Sequence, residues 1–247
     1  MKILATYNIK GGVGKTAAAV NLAWLAARDN QRTLVWDLDP QGAASFYFRI
    51  KPKIKGGGKK LINGKRELDD QIKGTDFENL DLLPADFSYR HLDLVLGDSK
   101  KPVTRLQKLL APLEEEYDWI FLDCPPSISL VSEAVFRTAD ALLVPIIPTI
   151  LSLRTLDQLY SFRKRQNLKK LEVFPFFSMV DRRKGLHRQI VASLPQERPE
   201  LLTSLIPYAS DVEKMGLQRQ PIGAFAPRRP AALAYSSLWG ELRNRMP

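Results

Sequence analysis

The sequence predicts an α/β protein: a doubly wound, mostly parallel sheet with helices on both faces. Short apolar runs alternate with helix-patterned segments along the chain, as in successive strand–helix–strand units. Several of these runs are continuously apolar, as strands buried on both faces are. The first run, Ile3-Leu4-Ala5-Thr6-Tyr7, passes through a glycine-rich loop into an Ala-rich helical segment. That order of strand, loop and helix makes an anion-binding turn. A length of 247 residues suits one domain spanning 1–247.

In chain order, strands are expected at 2–7, 33–37, 80–84, 119–123, 141–145, 173–179 and 202–206. Helices are expected at 16–29, 89–97, 102–116, 128–138, 151–165, 186–193, 210–216 and 230–245. In open parallel sheets the ligand sits at the carboxyl ends of the strands. Asp37, Asp39 and Asp123 fall at such ends. Residues 49–66 carry three consecutive glycines, eight basic residues and no acidic one. Repeated like charge and glycine disfavour a packed element, so this segment is expected to be a mobile basic loop.

The loop reads Asn8-Ile9-Lys10-Gly11-Gly12-Val13-Gly14-Lys15-Thr16. Gly11, Gly12 and Gly14 let backbone approach phosphates without side-chain collision. Backbone N–H groups there and at the start of the helix converge on an anion. Lys15 would reach the β- and γ-phosphates, and the Thr16 hydroxyl would hold Mg²⁺. The ordinary pattern G-x-x-x-x-G-K-[ST] fails at its first position, which is Ile9, and an additional lysine, Lys10, precedes the double glycine. Asp123 closes an apolar run, where a carboxylate meets a phosphate-bound metal; the alternative is a helix cap or turn former. Asp37 and Asp39 lie two apart, so on an extended chain both side chains point the same way. Asp37 either supports the metal site or acts as a switch, or makes a strand-end hydrogen bond.

Other chemistries find little support. The one cysteine, Cys124, cannot form an internal disulfide or hold an iron–sulfur cluster within one chain, and a reducing cytoplasm suits it. His91 and His187 lack the spaced partners of a zinc site. Ser127 and Ser129 lack a nucleophile-elbow pattern. No cleavable apolar region precedes the first strand, so no signal peptide is expected. The longest apolar run, residues 141–151 with Pro145 and Pro148, is too short to span a bilayer.

The net charge of +10 is uneven, because residues 151–247 hold 17 Lys/Arg against 8 Asp/Glu. A basic face implies a polyanionic partner. Arg182, Arg183 and Lys184 with Arg188, Lys214 with Arg219, and Arg243 with Arg245 are the candidate phosphate contacts. They would give salt-dependent, sequence-independent affinity for a phosphate polyanion, unless the charges are simply solvated surface.

The sequence Lys-Gly-Gly-Val-Gly-Lys-Thr over residues 10–16 resembles the deviant Walker A motif of the ParA/MinD family of ATPases. Val35-Trp36-Asp37-Leu38-Asp39-Pro40-Gln41-Gly42 is similar to the family's second nucleotide motif. Asp118-Trp119-Ile120-Phe121-Leu122-Asp123-Cys124-Pro125-Pro126 is similar to its Walker B strand. Residues 79–85, Ile206-Pro207 and residues 227–243 resemble it too, and residues 49–77 do so least. The resemblance implies a P-loop ATPase fold, with ATP and Mg²⁺ held by Lys10, Gly11, Gly12, Val13, Gly14, Lys15, Thr16, Ala17 and Pro207. Metal contacts would come from Thr16, Asp39 and Asp123. Lys10 would reach the phosphates of a second subunit, making dimerisation depend on ATP, as an arginine finger delivers charge. Asp39 would position the attacking water. Lys10, Lys15 and Asp39 are the catalytic candidates.

Two functions follow from the resemblance. One is a short ParA-type partition ATPase: an ATP-dependent homodimer that binds duplex DNA nonspecifically, is nucleoid-associated in that state, and is released by a ParB-like or cargo-adaptor protein. With the first strand starting at Lys2, no N-terminal helix-turn-helix and no operator-specific repression are expected. The other is a MinD-like membrane-cycling ATPase, which needs a terminal amphipathic helix. Residues 231–247 offer Leu233, Leu238, Trp239 and Leu242, but no Lys/Phe-rich tail follows, so membrane binding is the less expected reading. A metal-insertion or iron–sulfur scaffold ATPase would carry a Cys-x-x-Cys pair or a His-rich stretch, and both are absent.

Overall fold

A strand that is apolar at every position can only be covered from both sides, and the first strand shows how this chain does so. In the computed structural model, which describes residues 1–64, 68–98 and 102–246, that strand is β1 (Lys2–Thr6). Ile3 and Ala5 point into one core layer and Leu4 into the other, the alternation an extended chain imposes. After the glycine loop comes α1 (Lys15–Arg28), with 11 of its 14 residues buried. Its run of alanines lets the helix lie close against the sheet and be covered from outside as well.

The chain continues through β2 (Thr33–Asp37), α2 (Ala43–Tyr47), α3 (Gly57–Ile62), β3 (Lys73–Gly74), β4 (Leu80–Leu83) and α4 (Leu92–Gly97). Then come α5 (Arg105–Leu110), β5 (Trp119–Asp123), α6 (Leu130–Thr138), β6 (Ala141–Ile146) and α7 (Ile150–Arg165). It ends with β7 (Glu172–Val180), α8 (Gly185–Glu197), β8 (Leu205–Pro207), α9 (Ser210–Glu213), α10 (Met215–Gln218), α11 (Ile222–Phe225) and α12 (Pro230–Arg245). The strands form one sheet in the order β3-β4-β2-β5-β1-β6-β7-β8. Every pairing is parallel except β3 with β4. Helices α4 to α8 cover one face, and α1 and α12 the other.

The segment expected to be a mobile basic loop is different. Gly57–Ile62 is a helix, and Ile54, Leu61 and Ile62 are buried in the core. The three glycines that argued against packing are what permits it. Gly56 and Gly57 take φ of 85° and 72°, and a Cβ on Gly58 would stand 2.7 Å from the Tyr89 ring. Only hydrogen fits there, so the glycines mark a close contact rather than slack chain. Residues 65 and 66 of that segment lie outside the described residues.

Smaller differences follow the same logic. The helix expected at 102–116 is α5 flanked by 3₁₀ turns at Pro102–Thr104 and Ala111–Glu115. The strand expected at 202–206 starts later, at Leu205, while Leu202 is already buried. Helix α12 has the expected bounds, and Tyr235, Leu238, Trp239 and Leu242 are buried. The Trp239 indole donates to Asp29 Oδ2 at 2.9 Å and packs edge-on against Trp119. The apolar residues a membrane-binding helix would expose are therefore turned inward, Leu233 excepted. No helix among the described residues is long and apolar enough to cross a membrane.

Candidate nucleotide site

Parallel pairing sets three polar residues side by side. Thr6 of β1 is in register with Asp123 of β5, and Asp123 with Asp37 of β2. All three are fully buried at the carboxyl ends of their strands. Asp123 Oδ1 accepts from the Thr6 hydroxyl at 3.2 Å. Asp37 Oδ2 accepts from the Ser45 amide and hydroxyl at 2.8 and 2.7 Å. Among the described residues, Asp37 Oδ1 and Asp123 Oδ2 have no hydrogen-bond partner. Two buried carboxylates with an unpaired oxygen each are costly unless a cation joins them. Burial first, and then each other's charge, raises the protonation range of Asp123 well above that of an ordinary carboxylate. Asp37 is raised too, chiefly by burial, with the Ser45 hydrogen bonds opposing.

Thr16, whose side chain hydrogen-bonds Asp123, lines a cavity of about 360 Å³, within the range of small-molecule sites; Asp37 and Asp123 themselves do not line it. Gly11, Gly12, Gly14, Lys15, Thr16, Ala17, Asp39 and Pro207 line it, so most of the residues picked from the sequence are brought together. The loop is fixed from below. Asn8 Nδ2 donates to the Pro145 carbonyl at 2.8 Å, and Asn8 Oδ1 accepts from the Lys10 amide at 2.9 Å. Val13 is buried under the loop rather than facing the cavity. Lys15 is almost fully buried, and its ammonium donates to the Lys10 carbonyl at 3.2 Å. Desolvation lowers its protonation range, while Asp123 and Asp39 oppose that fall. Asp39 Oδ1 accepts from the Gln41 amide at 3.0 Å, turning the chain toward α2. Lys10 is exposed and does not line the cavity.

Space beside Gly11 and Gly12 is open, with nothing within 4 Å of a Cβ built on either. Gly14 is different: its φ is 96°, and a Cβ there would lie 2.9 Å from Ser178 Oγ. Gly14→Ala is therefore expected to cost about 2 kcal/mol of stability from the left-handed backbone, and more from the collision. A thermal melt and an ATP titration of that variant read both losses. An unchanged melting temperature would contradict the geometry.

Several lining residues were not foreseen. Ser178 and Met179 come from a bulge in β7, where the register with β8 shifts and Met179 takes φ 55°. A single serine in an otherwise apolar run was the available signal. Tyr47, Tyr208, Val212, Glu213 and Tyr235 also line the cavity, without any local pattern to mark them. Ser45, which holds Asp37, was likewise unmarked.

The DNA candidates fall into three groups. Arg182, Arg183 and Lys184 sit on the exposed turn before α8, and Arg188 in its first turn donates to the Arg182 carbonyl at 2.8 Å. Arg183 is paired with Asp181 at 2.9 Å. In the second group Lys214 is paired with Asp211 at 3.3 Å, and Arg219 Nε donates to the Phe46 carbonyl at 3.1 Å. Arg243, near the chain end, is paired with Asp29 at 3.1 Å.

Comparison with known proteins adds to this geometry. The chain is 32% identical over 197 residues to the chromosome partitioning protein ParA of Caulobacter vibrioides, covering 77% of this chain and 74% of that one. Residues 1–173 match the AAA domain family. The chain belongs to the ParA family of deviant Walker A ATPases. It is also 29% identical over 247 residues to the sporulation initiation inhibitor protein Soj of Bacillus subtilis, with 98% of each chain covered. A putative plasmid partition protein of Borrelia burgdorferi B31, solved bound to AMPPNP, shares the fold. Its TM-score is 0.85 at 22% identity, with 99% of each chain covered.

Proposed function

We propose that this ParA-family chain is a partition-type ATPase, one that closes as an ATP-dependent homodimer, binds duplex DNA without sequence preference and positions a cargo. The cavity carries this reading: it is lined by a glycine loop, the buried Lys15 and Thr16, and behind Thr16 and Lys15 lies the buried Asp123, which like Asp37 has one oxygen without a partner among the described residues. Those unpaired oxygens and the adjacent Thr16 hydroxyl fit a hard divalent cation, which takes oxygen ligands. Thr16 and Asp123 would hold Mg²⁺, with Asp39 helping to hold its water shell. The ion would neutralise charge on the β- and γ-phosphate oxygens. ATP would lie with its phosphates over residues 11–17 and its base toward Pro207.

The protein's own groups divide the remaining work. Backbone N–H groups of the loop and the first turn of α1 hold the phosphates. Lys15 adds positive charge where negative charge develops during transfer. Asp39 orients the attacking water; positioning rather than strong-base chemistry is its task, because a carboxylate beside a triphosphate is a weak base. Asp37, fixed by Ser45, supports the metal site from behind.

Dimerisation through this face is supported by what surrounds it. Ile128 follows β5, and Ile150 and Leu151 follow β6; all three are more than half exposed, at the same end of the sheet as the phosphate loop. Lys10 stands exposed at that end, outside its own cavity, where it is free to reach a second subunit. Lys10→Ala is expected to bind ATP with near-normal affinity yet stay monomeric with ATP. Light scattering tests this directly; an unchanged ATP-dependent dimer would remove the trans role. A ParB-like or cargo-adaptor protein is the expected stimulator of hydrolysis, and the ATP-bound dimer is expected on the nucleoid. The inward-facing α12 weighs against the MinD-like alternative, and co-sedimentation with anionic liposomes in ATP would revive it.

A further inference from the structure

Beside the nucleotide cavity, and separated from it only by α2, is a second concavity of about 480 Å³. Ala43 and Tyr47 line both. The second is cationic: Arg49, Lys51 and Arg219 line it, and no carboxylate does. Its walls are locked by a reciprocal contact. Arg49, just past α2, donates through Nη2 to the Gln218 carbonyl at 3.0 Å. Arg219, just past α10, donates through Nε to the Phe46 carbonyl at 3.1 Å. Both arginines take the left-handed backbone, at φ 61° and 50°, a conformation non-glycine residues adopt only when held there. Each thereby satisfies a carbonyl at the other helix's end.

The free donors point to a ligand class. One Arg49 nitrogen is taken by Asp76 at 3.1 Å. The Arg219 guanidinium lies over the Phe46 ring at 4.6 Å, so its plane is fixed, and its two terminal nitrogens have no partner among the described residues. The Lys51 side chain is exposed, and its ammonium makes no hydrogen bond or ion pair among the described residues. A planar fork and a point charge at one cleft suit phosphate oxygens. A concave cationic groove receives a phosphodiester ridge, whereas a bilayer presents a broad surface and asks for inserted apolar side chains.

We propose that this cleft seats backbone phosphates of duplex DNA on Lys51 and Arg219, with Arg49 holding the two walls together. The proposal rests on the DNA-binding reading above and adds a contact from the N-terminal half of the chain. It also gives the two ligands a common wall. Helix α2 carries Ser45 against Asp37 in the nucleotide site and Phe46 under Arg219 in the cleft, so a shift of α2 on nucleotide binding reaches both.

Lys51 is the residue to test, since its side chain is exposed and holds no polar partner among the described residues. Fluorescence anisotropy with labelled duplexes of unrelated sequence, in a non-hydrolysable ATP analogue, gives the slope of log affinity against log salt. Lys51→Ala is expected to flatten that slope by about 0.9, one phosphate's worth, equally for every sequence. Lys51→Glu is expected to flatten it further, and both variants should keep wild-type ATP affinity. An unchanged slope in both variants, with wild type binding DNA and Arg182→Ala/Arg183→Ala weakened, would overturn the cleft and leave the DNA reading standing. Wild type that binds no DNA at low salt but binds phosphatidylglycerol vesicles would overturn both.

Discussion

Lys15→Ala is expected to abolish useful ATP binding. The Lys15 ammonium is the one cation among the cavity-lining residues described, and it faces Asp123 and Asp39 as well as the phosphate cradle. A charged hydrogen bond to phosphate contributes about 3 kcal/mol, so its loss weakens binding about 100-fold. The true loss should exceed that, because the two carboxylates then face the triphosphate with less compensation. Circular dichroism should show an intact fold, since the ammonium's hydrogen bond to the Lys10 carbonyl is local. Isothermal titration with MgATP decides the matter; affinity within a few fold of wild type would end the phosphate-loop assignment.

Asp39→Ala should separate binding from turnover. It is expected to hold ATP and dimerise, while hydrolysis stimulated by the partner falls about 100-fold through loss of water positioning. If release from DNA depends on turnover, the variant stays bound. Asp39 also accepts from the Gln41 amide, so Ala disturbs a turn as well as a charge. Asp39→Asn keeps an acceptor for that amide and removes only the charge. Loss of phosphate release in both variants assigns the effect to the carboxylate, whereas normal turnover in Asn would leave only the turn.

Most of the fold could be read from the chain because its signals were local. Apolar runs marked β2 and β5 at their true bounds, and the phosphate loop declared itself by glycine and lysine spacing. What escaped was long-range. Gly56, Gly57 and Gly58 looked like slack and prove to be the place where α3 meets Tyr89. The short helix α2 had too few residues for a period to show, yet it supplies Ser45 to the site and Tyr47 to the cavity. Ser178 reaches the cavity through a bulge that depends on how β7 pairs with β8. The cationic list mixed free and paired groups, since nothing in spacing shows that Asp211 occupies Lys214 or that Arg219 lies on Phe46.

The position of β1 bears on how such a chain is made. The strand is made well before its neighbours in the sheet, which are Trp119–Asp123 and Ala141–Leu143. The helix that carries Lys15 and Thr16 is covered by α12, near the far end of the chain, and the Lys2 ammonium donates to the Met246 carbonyl at 2.6 Å. Contacts this distant in sequence form slowly and late. During synthesis the phosphate loop therefore exists as sequence long before it exists as a site. A nascent chain stopped short of β5 has neither the Asp123 pairing with Thr6 and Asp37 nor the Pro145 carbonyl that Asn8 grips, so it lacks the assembled ATP site. Its Ala-rich first helix meanwhile has no sheet to lie on, which makes the early translation intermediate the stage at which this protein most needs shielding from aggregation.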